Sequence, residues 1–180
     1  MRFMGAIVVL GSLTLAASAA EAQGGFSGKQ TRIGPVIGLG GLGGAGLSFG
    51  GRFEKAIKEL PNLGDGVLSI QVSVDYYSND LGFGTAGNGS FKYIPFSGTV
   101  NYHINTKNEK IDAFVGAGLG YLNVSTSYKG VGSFSGSGVY FVGRLGGSYN
   151  IANAVALYAD VGAGAATLNA GVMFNLGGRK

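Results

Sequence analysis

The amino-acid sequence predicts an all-β fold, an eight-stranded antiparallel up-and-down β-barrel. Three observations lead to this prediction: alternation of apolar and polar residues, a glycine-rich composition with few charges, and connections of alternating length. The alternation is clearest in VLSIQVSVDYY, residues 67–77, where Ile70, Val72 and Val74 are apolar and Gln71 and Ser73 are polar. A period of two residues is that of a β-strand whose two faces meet different surroundings.

The composition excludes several classes of protein. Of the 180 residues, 36 are glycine, and 12% are charged where an ordinary soluble domain has roughly 25%. A hydrophobic content of 46% argues against disorder, and three prolines argue against collagen. The chain has no cysteine, which excludes disulfides and thiolate metal sites. The formal net charge is only +4, and the scattered lysines and arginines do not indicate a nucleic-acid surface.

The first 22 residues have the pattern of a cleaved signal peptide. Arg2 precedes an apolar segment, and Ala20-Glu21-Ala22 matches the A-x-A cleavage motif. A transmembrane anchor is the alternative, but the apolar core is short and small residues follow it. We therefore expect a signal peptide at 1–22 and one barrel domain at 23–180, with no membrane-spanning helix in that domain.

Eight segments of the remaining chain read as strands. In chain order they are 32–40, 45–57, 67–78, 91–104, 111–128, 139–151, 154–163 and 167–176. One face of each carries most of the bulky apolar residues, whereas the other carries mainly Gly, Ser, Thr and Asn with a few charges. The interior of an eight-stranded barrel is just wide enough for side chains to fill it. The bulky face should therefore point outward, toward lipid, which makes the predicted barrel transmembrane.

The connections and the aromatic residues agree with a membrane barrel. Short segments follow strands four and six, whereas longer segments at 78–90 and 129–138 follow strands three and five and are predicted to be extracellular loops. Phe53, Tyr102, Tyr149 and Phe174 lie near the periplasmic ends of the even-numbered strands. We expect these four residues to form an aromatic girdle that faces lipid.

With its leader, its alternating strands and its closing segment LNAGVMFNL, the chain resembles the small outer-membrane β-barrels of Gram-negative bacteria. This porin-family group includes OmpA-barrel-like and OmpX-like proteins, and the resemblance covers residues 31–176. It implies a monomer in outer-membrane lipid, placed there by the assembly machinery for such barrels. In that family the final strand usually ends the chain on an aromatic residue, but here NLGGRK follows Phe174.

Charged residues on the inward face are the candidate site residues. They form a predicted interior polar network of Arg52, Glu54, Asp75, His103, Asp112, Arg144 and Asp160. A buried charge needs a partner, and two pairs are predicted. A register that aligns position 104 with position 111 brings His103 opposite Asp112, which would favour the imidazolium form. A turn centred on position 152 brings Arg144 directly opposite Asp160.

Motifs for catalysis or cofactor binding are weak. GLGGLG at 38–43 matches G-x-G-x-x-G, but no helix follows it, as a dinucleotide site requires. A single histidine and no cysteine offer no metal-ligand set. We therefore expect no catalytic residues, no cofactor and no metal. The predicted role is envelope structure or surface interaction through the extracellular loops, with an unidentified extracellular partner. The alternatives are a narrow porin-like passage for small or hydrophobic solutes and a membrane-embedded lipid-modifying enzyme.

Overall fold

The structure, a computed structural model, describes residues 25–41, 46–82, 88–128 and 132–177. The predicted signal peptide lies outside these residues. The described chain forms a closed antiparallel barrel in which each strand pairs with the next and β8 pairs with β1, as predicted. The strands are β1 (Thr31–Leu39), β2 (Leu47–Leu60), β3 (Gly66–Gly82), β4 (Asn88–Ile104), β5 (Ile111–Tyr128), β6 (Gly132–Ala152), β7 (Val155–Ala163) and β8 (Leu168–Asn175). No helix in the described ranges is long and apolar enough to cross a membrane.

The two ends of the barrel differ. At the turn end, residues 61–65, 105–110 and 153–154 connect the strands; at the loop end lie the connections that follow β1, β3, β5 and β7. The predicted loops 78–90 and 129–138 are largely strand, because β3 continues to Gly82, β4 begins at Asn88 and β6 begins at Gly132. Their Gly and Ser residues carry little apolar alternation, so backbone pairing with the neighbouring strand determines their structure and the sequence pattern does not reveal it.

The inside and outside faces are as predicted. On β3, Gln71 and Ser73 are at most 2% exposed, whereas Ile70 and Val72 are 47% and 52% exposed. The same alternation runs along β1 and β7. Bulky apolar side chains therefore cover the outside of the barrel, and polar side chains fill much of its interior.

Apolar residues interrupt the polar interior at three levels. Phe26, Ala56 and Val67 pack together near the turn end. Val36, Phe114, Tyr158 and Met173 pack in the middle of the barrel. Tyr77, Ala165 and Ala166 pack near the loop end, with Tyr93 and Tyr140 against them. The interior is thus a stack of alternating apolar and polar layers.

Two predicted registers are wrong by two residues. Ile104 pairs with Ala113 and not with Ile111. The backbone of Ile111 is bonded to the turn instead, because its N–H donates to Asn108 O and its carbonyl accepts from the Thr106 hydroxyl. Tyr149 pairs with Leu157 and not with Val155, because the register shifts between Asn150 and Ala152. A β-bulge of this kind adds a residue to one strand and cannot be recognised from alternation alone.

Glycines on the inward face of β5 admit groups from neighbouring strands. A Cβ atom at Gly116 would lie 2.0 Å from Asn101 Oδ1, and one at Gly120 would lie 2.1 Å from the Tyr140 ring. Gly118 differs, because its Cβ atom would lie 1.9 Å from the backbone oxygen of Gly98. Backbone cannot move aside as a side chain can, so Gly118 is required by the close approach of β4.

We expect Gly118→Ala to destabilise the barrel and Gly98→Ala to be tolerated. Overpacking costs about 1–3 kcal/mol, whereas a Cβ atom at Gly98 would meet nothing within 4 Å. Urea unfolding of both variants in detergent micelles measures the difference. Equal unfolding free energies would contradict the assignment of Gly118 as a close-packing position.

Candidate functional site: the polar interior of the barrel

The seven predicted interior residues all lie inside the barrel and are at most 6% exposed. They form two groups, with Arg32 added by the structure. The lower cluster, near the turn end, contains Arg32, Glu54, His103 and Asp112; the upper cluster contains Arg52, Asp75, Arg144 and Asp160. Phe114 lies between them, with its ring centroid 5.4 Å from that of His103 and 5.9 Å from that of Tyr158.

The lower cluster is centred on His103. Its Nδ1 lies 2.8 Å from Asp112 Oδ1, and its Nε2 lies 2.9 Å from Glu54 Oε1. The predicted contact with Asp112 is therefore present, although the shifted register makes it diagonal. Arg32 Nη1 donates to Asp112 Oδ2 at 2.9 Å. The amino-acid sequence does not reveal that Arg32 contacts Asp112, because β1 and β5 are not neighbours in the barrel.

The hydrogen bonds of His103 assign its protonation state. An ionised carboxylate only accepts hydrogen bonds, and a carboxylate oxygen faces each ring nitrogen. If both carboxyl groups are ionised, both ring nitrogens must donate, which requires the imidazolium. The lower cluster then holds two cations and two carboxylates, so its charges balance inside the barrel.

Ser69 makes the lower cluster resemble a hydrolase triad. Its Oγ lies 3.1 Å from His103 Nε2, and the opposite ring nitrogen faces Asp112. However, Ser69 Oγ donates to Glu54 Oε1 at 2.7 Å, and the same oxygen accepts from His103. A histidine that is already an imidazolium cannot remove the serine proton. Ser69 is therefore part of the buried hydrogen-bonded network around Glu54 and His103.

The upper cluster is a chain of hydrogen bonds across the barrel. Arg52 donates to Asp75 Oδ1 and to Asn169 Oδ1, both at 2.9 Å. Asn169 and Tyr158 then donate to the two oxygens of Asp160, at 2.8 and 2.5 Å. Asn169 therefore connects Arg52 with Asp160, a link that the alternation of residues in the sequence does not predict.

The predicted pair of Arg144 and Asp160 needs correction. Arg144 is aligned with Gly162 and not with Asp160, and its Nη1 lies 3.9 Å from Asp160 Oδ2. Its hydrogen bonds go to Gln71 Oε1 and Ser97 Oγ. Both charges are inside, as predicted, but they form a long ion pair because of the bulge near the β6–β7 turn.

Residues 25–30 form a strap that closes the turn end. The Phe26 ring stacks on the His103 ring with centroids 3.8 Å apart, and the Arg32 guanidinium lies 4.6 Å from its centre. Backbone bonds hold the strap, from Gly25 N–H to Glu109 O and from Ala56 N–H to Gln30 O. An open cleft of about 440 Å³ lies beside the strap and is lined by strap residues, by the β2–β3 and β4–β5 turns and by His103. The lower cluster is therefore covered from the turn end.

The four predicted girdle residues lie on the outward face of their strands. Phe53 and Tyr149 are 41% and 47% exposed, and Tyr102 and Phe174 are partly exposed. Tyr102 also donates its hydroxyl proton to Leu63 O in the β2–β3 turn. Their action as an aromatic girdle at a membrane surface stays a prediction.

The described part of the chain contains no group of three or more acidic, histidine or cysteine residues that could hold a metal ion. Of GLGGLG, residues 38–41 end β1 and start the connection to β2, and the other two lie outside the described residues. The next described element is strand β2, which begins at Leu47, whereas a dinucleotide site requires a helix at this place.

No family model and no curated protein sequence matches the chain. Solved structures do match. The N-terminal β-barrel domain of Pseudomonas aeruginosa OprF is 15% identical, with a TM-score of 0.50, and the match covers 83% of this chain and 100% of that chain. Ail, the attachment invasion locus protein of Yersinia pestis, in complex with the heparin analogue sucrose octasulfate, is also 15% identical with a TM-score of 0.50, covering 81% and 93%. The fold is that of the small outer-membrane β-barrels.

Double-mutant cycles should rank the two ion pairs of this outer-membrane-type barrel. Loss of one partner of a buried pair costs about 3–5 kcal/mol, so Arg52→Ala and Asp75→Ala should each destabilise the barrel strongly. We expect a larger coupling energy between Arg52 and Asp75, at 2.9 Å, than between Arg144 and Asp160, at 3.9 Å. Urea unfolding in detergent micelles measures both cycles. A larger coupling for the second pair would contradict the upper-cluster geometry.

Nuclear magnetic resonance should find both ring nitrogens of His103 protonated at neutral pH, because each donates to a carboxylate. Nitrogen-15 spectra of the folded barrel distinguish the imidazolium from either neutral tautomer. His103 is the only histidine, so the signal is unambiguous. Asp112→Asn is the matched variant, and it should shift the ring toward a neutral tautomer. A neutral ring in the unaltered protein would refute the proposed charge balance.

Proposed function

We propose that this chain is a Gram-negative outer-membrane protein, exported by the cleaved signal peptide at 1–22, that binds a surface partner and catalyses no reaction. The apolar outer face supports the membrane location, because exposed apolar area of this extent is unusual on a soluble monomer. The fold of the matched barrels is consistent with this location.

The sheet that protrudes at the loop end carries the proposal of surface binding. Pairing of β3 with β4 continues to Gly82 and Asn88, and pairing of β5 with β6 continues to Tyr128 and Gly132. By contrast, the pairing of β7 with β6 stops at Ala163, opposite Gly143. Residues 132–142 of β6 therefore pair with β5 on one side and with no described strand on the other.

The free edge of β6, residues 132–142, has the chemistry of a strand that accepts a partner. Natural proteins protect such edges with charged residues, proline or bulges. The segment GSFSGSGVYFV has neither charge nor proline. Within this segment, Val139 and Phe141 are 71% and 84% exposed. An extended polypeptide segment could add to this edge through backbone hydrogen bonds, with its apolar side chains on those two residues.

The packed interior argues against the two alternative functions. A porin-like passage would have to cross both charged clusters and the apolar layer of Val36, Phe114 and Met173. A lipid-modifying enzyme would need a reachable nucleophile, but Ser69 is fully buried. We therefore expect no single-channel conductance, no labelling of Ser69 by a fluorophosphonate and no change in lipid A mass. Single-channel conductance would contradict the proposal in favour of a passage, and labelling of Ser69 would contradict it in favour of an enzyme.

Lysines placed on the free edge should abolish strand addition. The test variant is Ser135→Lys with Ser137→Lys, and the control is Asn123→Lys with Ser125→Lys on β5. The control positions lie opposite the test positions, on a strand that is paired on both sides. A random peptide library is selected against the barrel in lipid nanodiscs.

Selected peptides should bind the unaltered protein and the β5 variant but not the β6 variant, and should protect amides 132–142 from hydrogen exchange. Protection elsewhere, or equal binding to both variants, would contradict the edge as the binding surface.

A further inference from the structure

Three lysines form a basic patch on the outer face at the turn end. Lys29, Lys55 and Lys58 are all exposed. Lys55 lies opposite Thr31 of β1. The bond from Ala56 N–H to Gln30 O continues the β1–β2 pairing beyond Thr31, so Lys29 lies beside the end of β2. Lys29 is next to Gln30 and Lys55 is next to Ala56, so this backbone bond brings the two long lysine side chains within reach of each other.

A β-bulge completes the patch. The register between β2 and β3 shifts between Ala56 and Lys58, so Ala56 pairs with Ser69 and Lys58 with Leu68. As a result Ala56 stays buried while Ile57 is 52% exposed and Lys58 is also exposed. Without the extra residue, Lys58 would follow the alternation of β2 and point inward.

The patch lies at the border of the apolar outer face. Lys55 is aligned with Ile70 on β3, and the next outward residue of β2 toward the loop end is Phe53, which is aligned with Ile33. These three apolar side chains are 41–47% exposed. Lysine can lie its carbon chain along such a surface and extend its ammonium group to the polar boundary.

At this surface the three lysines outnumber the carboxylates that could pair with them. Glu54 of β2 is buried inside with His103. Glu59 is exposed, but its Oε1 accepts a hydrogen bond from Gly28 N–H of the strap. Like charges on adjacent strands repel, so an external anion would stabilise the patch. At the edge of a lipid-covered face, the anion at hand is a lipid phosphate.

We propose that Lys29, Lys55 and Lys58 bind the phosphate of an anionic phospholipid whose acyl chains lie along Ile33, Phe53 and Ile70. The inference rests on the proposed outer-membrane location. It assigns the turn end a lipid preference that the apolar outer face alone would not have.

Native mass spectrometry tests the proposal with the folded barrel in neutral detergent. The probes are phosphatidylglycerol and phosphatidylcholine with identical acyl chains. The patch variant combines Lys29→Gln, Lys55→Gln and Lys58→Gln; the control combines Lys92→Gln, Lys107→Gln and Lys110→Gln and removes the same charge elsewhere. Each lysine near an anionic lipid contributes roughly fivefold in affinity. The patch variant should therefore lose most of the phosphatidylglycerol preference, at least tenfold, and the control should keep it.

Three results would overturn the patch: equal binding of both lipids by the unaltered protein, equal losses in the two variants, or complete competition by free glycerophosphate, which would indicate a site for soluble phosphate. Insertion into phosphatidylcholine vesicles separates this inference from the proposed location. A barrel that inserts but shows no lipid preference refutes only the patch. A barrel that fails to insert refutes the membrane location and the patch together.

Discussion

The closed barrel has a narrow interior, and this narrowness limits which side chains can point inward. Eight strands leave only enough space for side chains, so every inward residue must fit against residues from the opposite wall. Long side chains such as Arg32 and Arg144 therefore reach across the interior, to Asp112 and Gln71 on strands that are not their neighbours. Gly118 allows the backbone of β4 to approach. The outer face has no such restriction and carries the bulky apolar residues.

Charge balance follows from the same constraint. An unpaired charge in this interior would be costly, but two cations and two carboxylates in each cluster largely offset one another. His103 belongs to this balance because two carboxylates hold its ring as a cation. The triad-like contact of Ser69, His103 and Asp112 is a consequence of this packing, since Glu54 occupies the position that would have to be free for proton transfer.

A closed and filled interior supports the proposal that this protein acts through its surfaces. The loop end offers a protruding sheet with the free edge of β6, and the turn end offers the strap and the basic patch. The free edge exists because β6 is much longer than β7: β7 ends at Ala163, opposite Gly143, whereas β6 begins at Gly132. The basic patch depends on the bulge in β2, because the bulge turns Lys58 outward. Interaction at either surface requires no opening of the barrel.

The number of strands, the face that most strand residues occupy and the burial of the seven predicted interior charges could all be predicted from the amino-acid sequence. These features depend on local alternation, which a single strand displays without its neighbours. The contact between His103 and Asp112 was also predicted from the sequence, since one short turn joins their strands and leaves few possible registers.

Pairs of residues that are distant in the chain, such as Arg32 with Asp112 and Arg52 with Asn169, are known only from the folded barrel. The tertiary structure also decided the registers that bulges alter, the extent of the Gly- and Ser-rich strands and the stacking of Phe26 on His103. The physical reason is that these contacts arise from the closure of the barrel, and a closed ring sets distances between strands that no local pattern records.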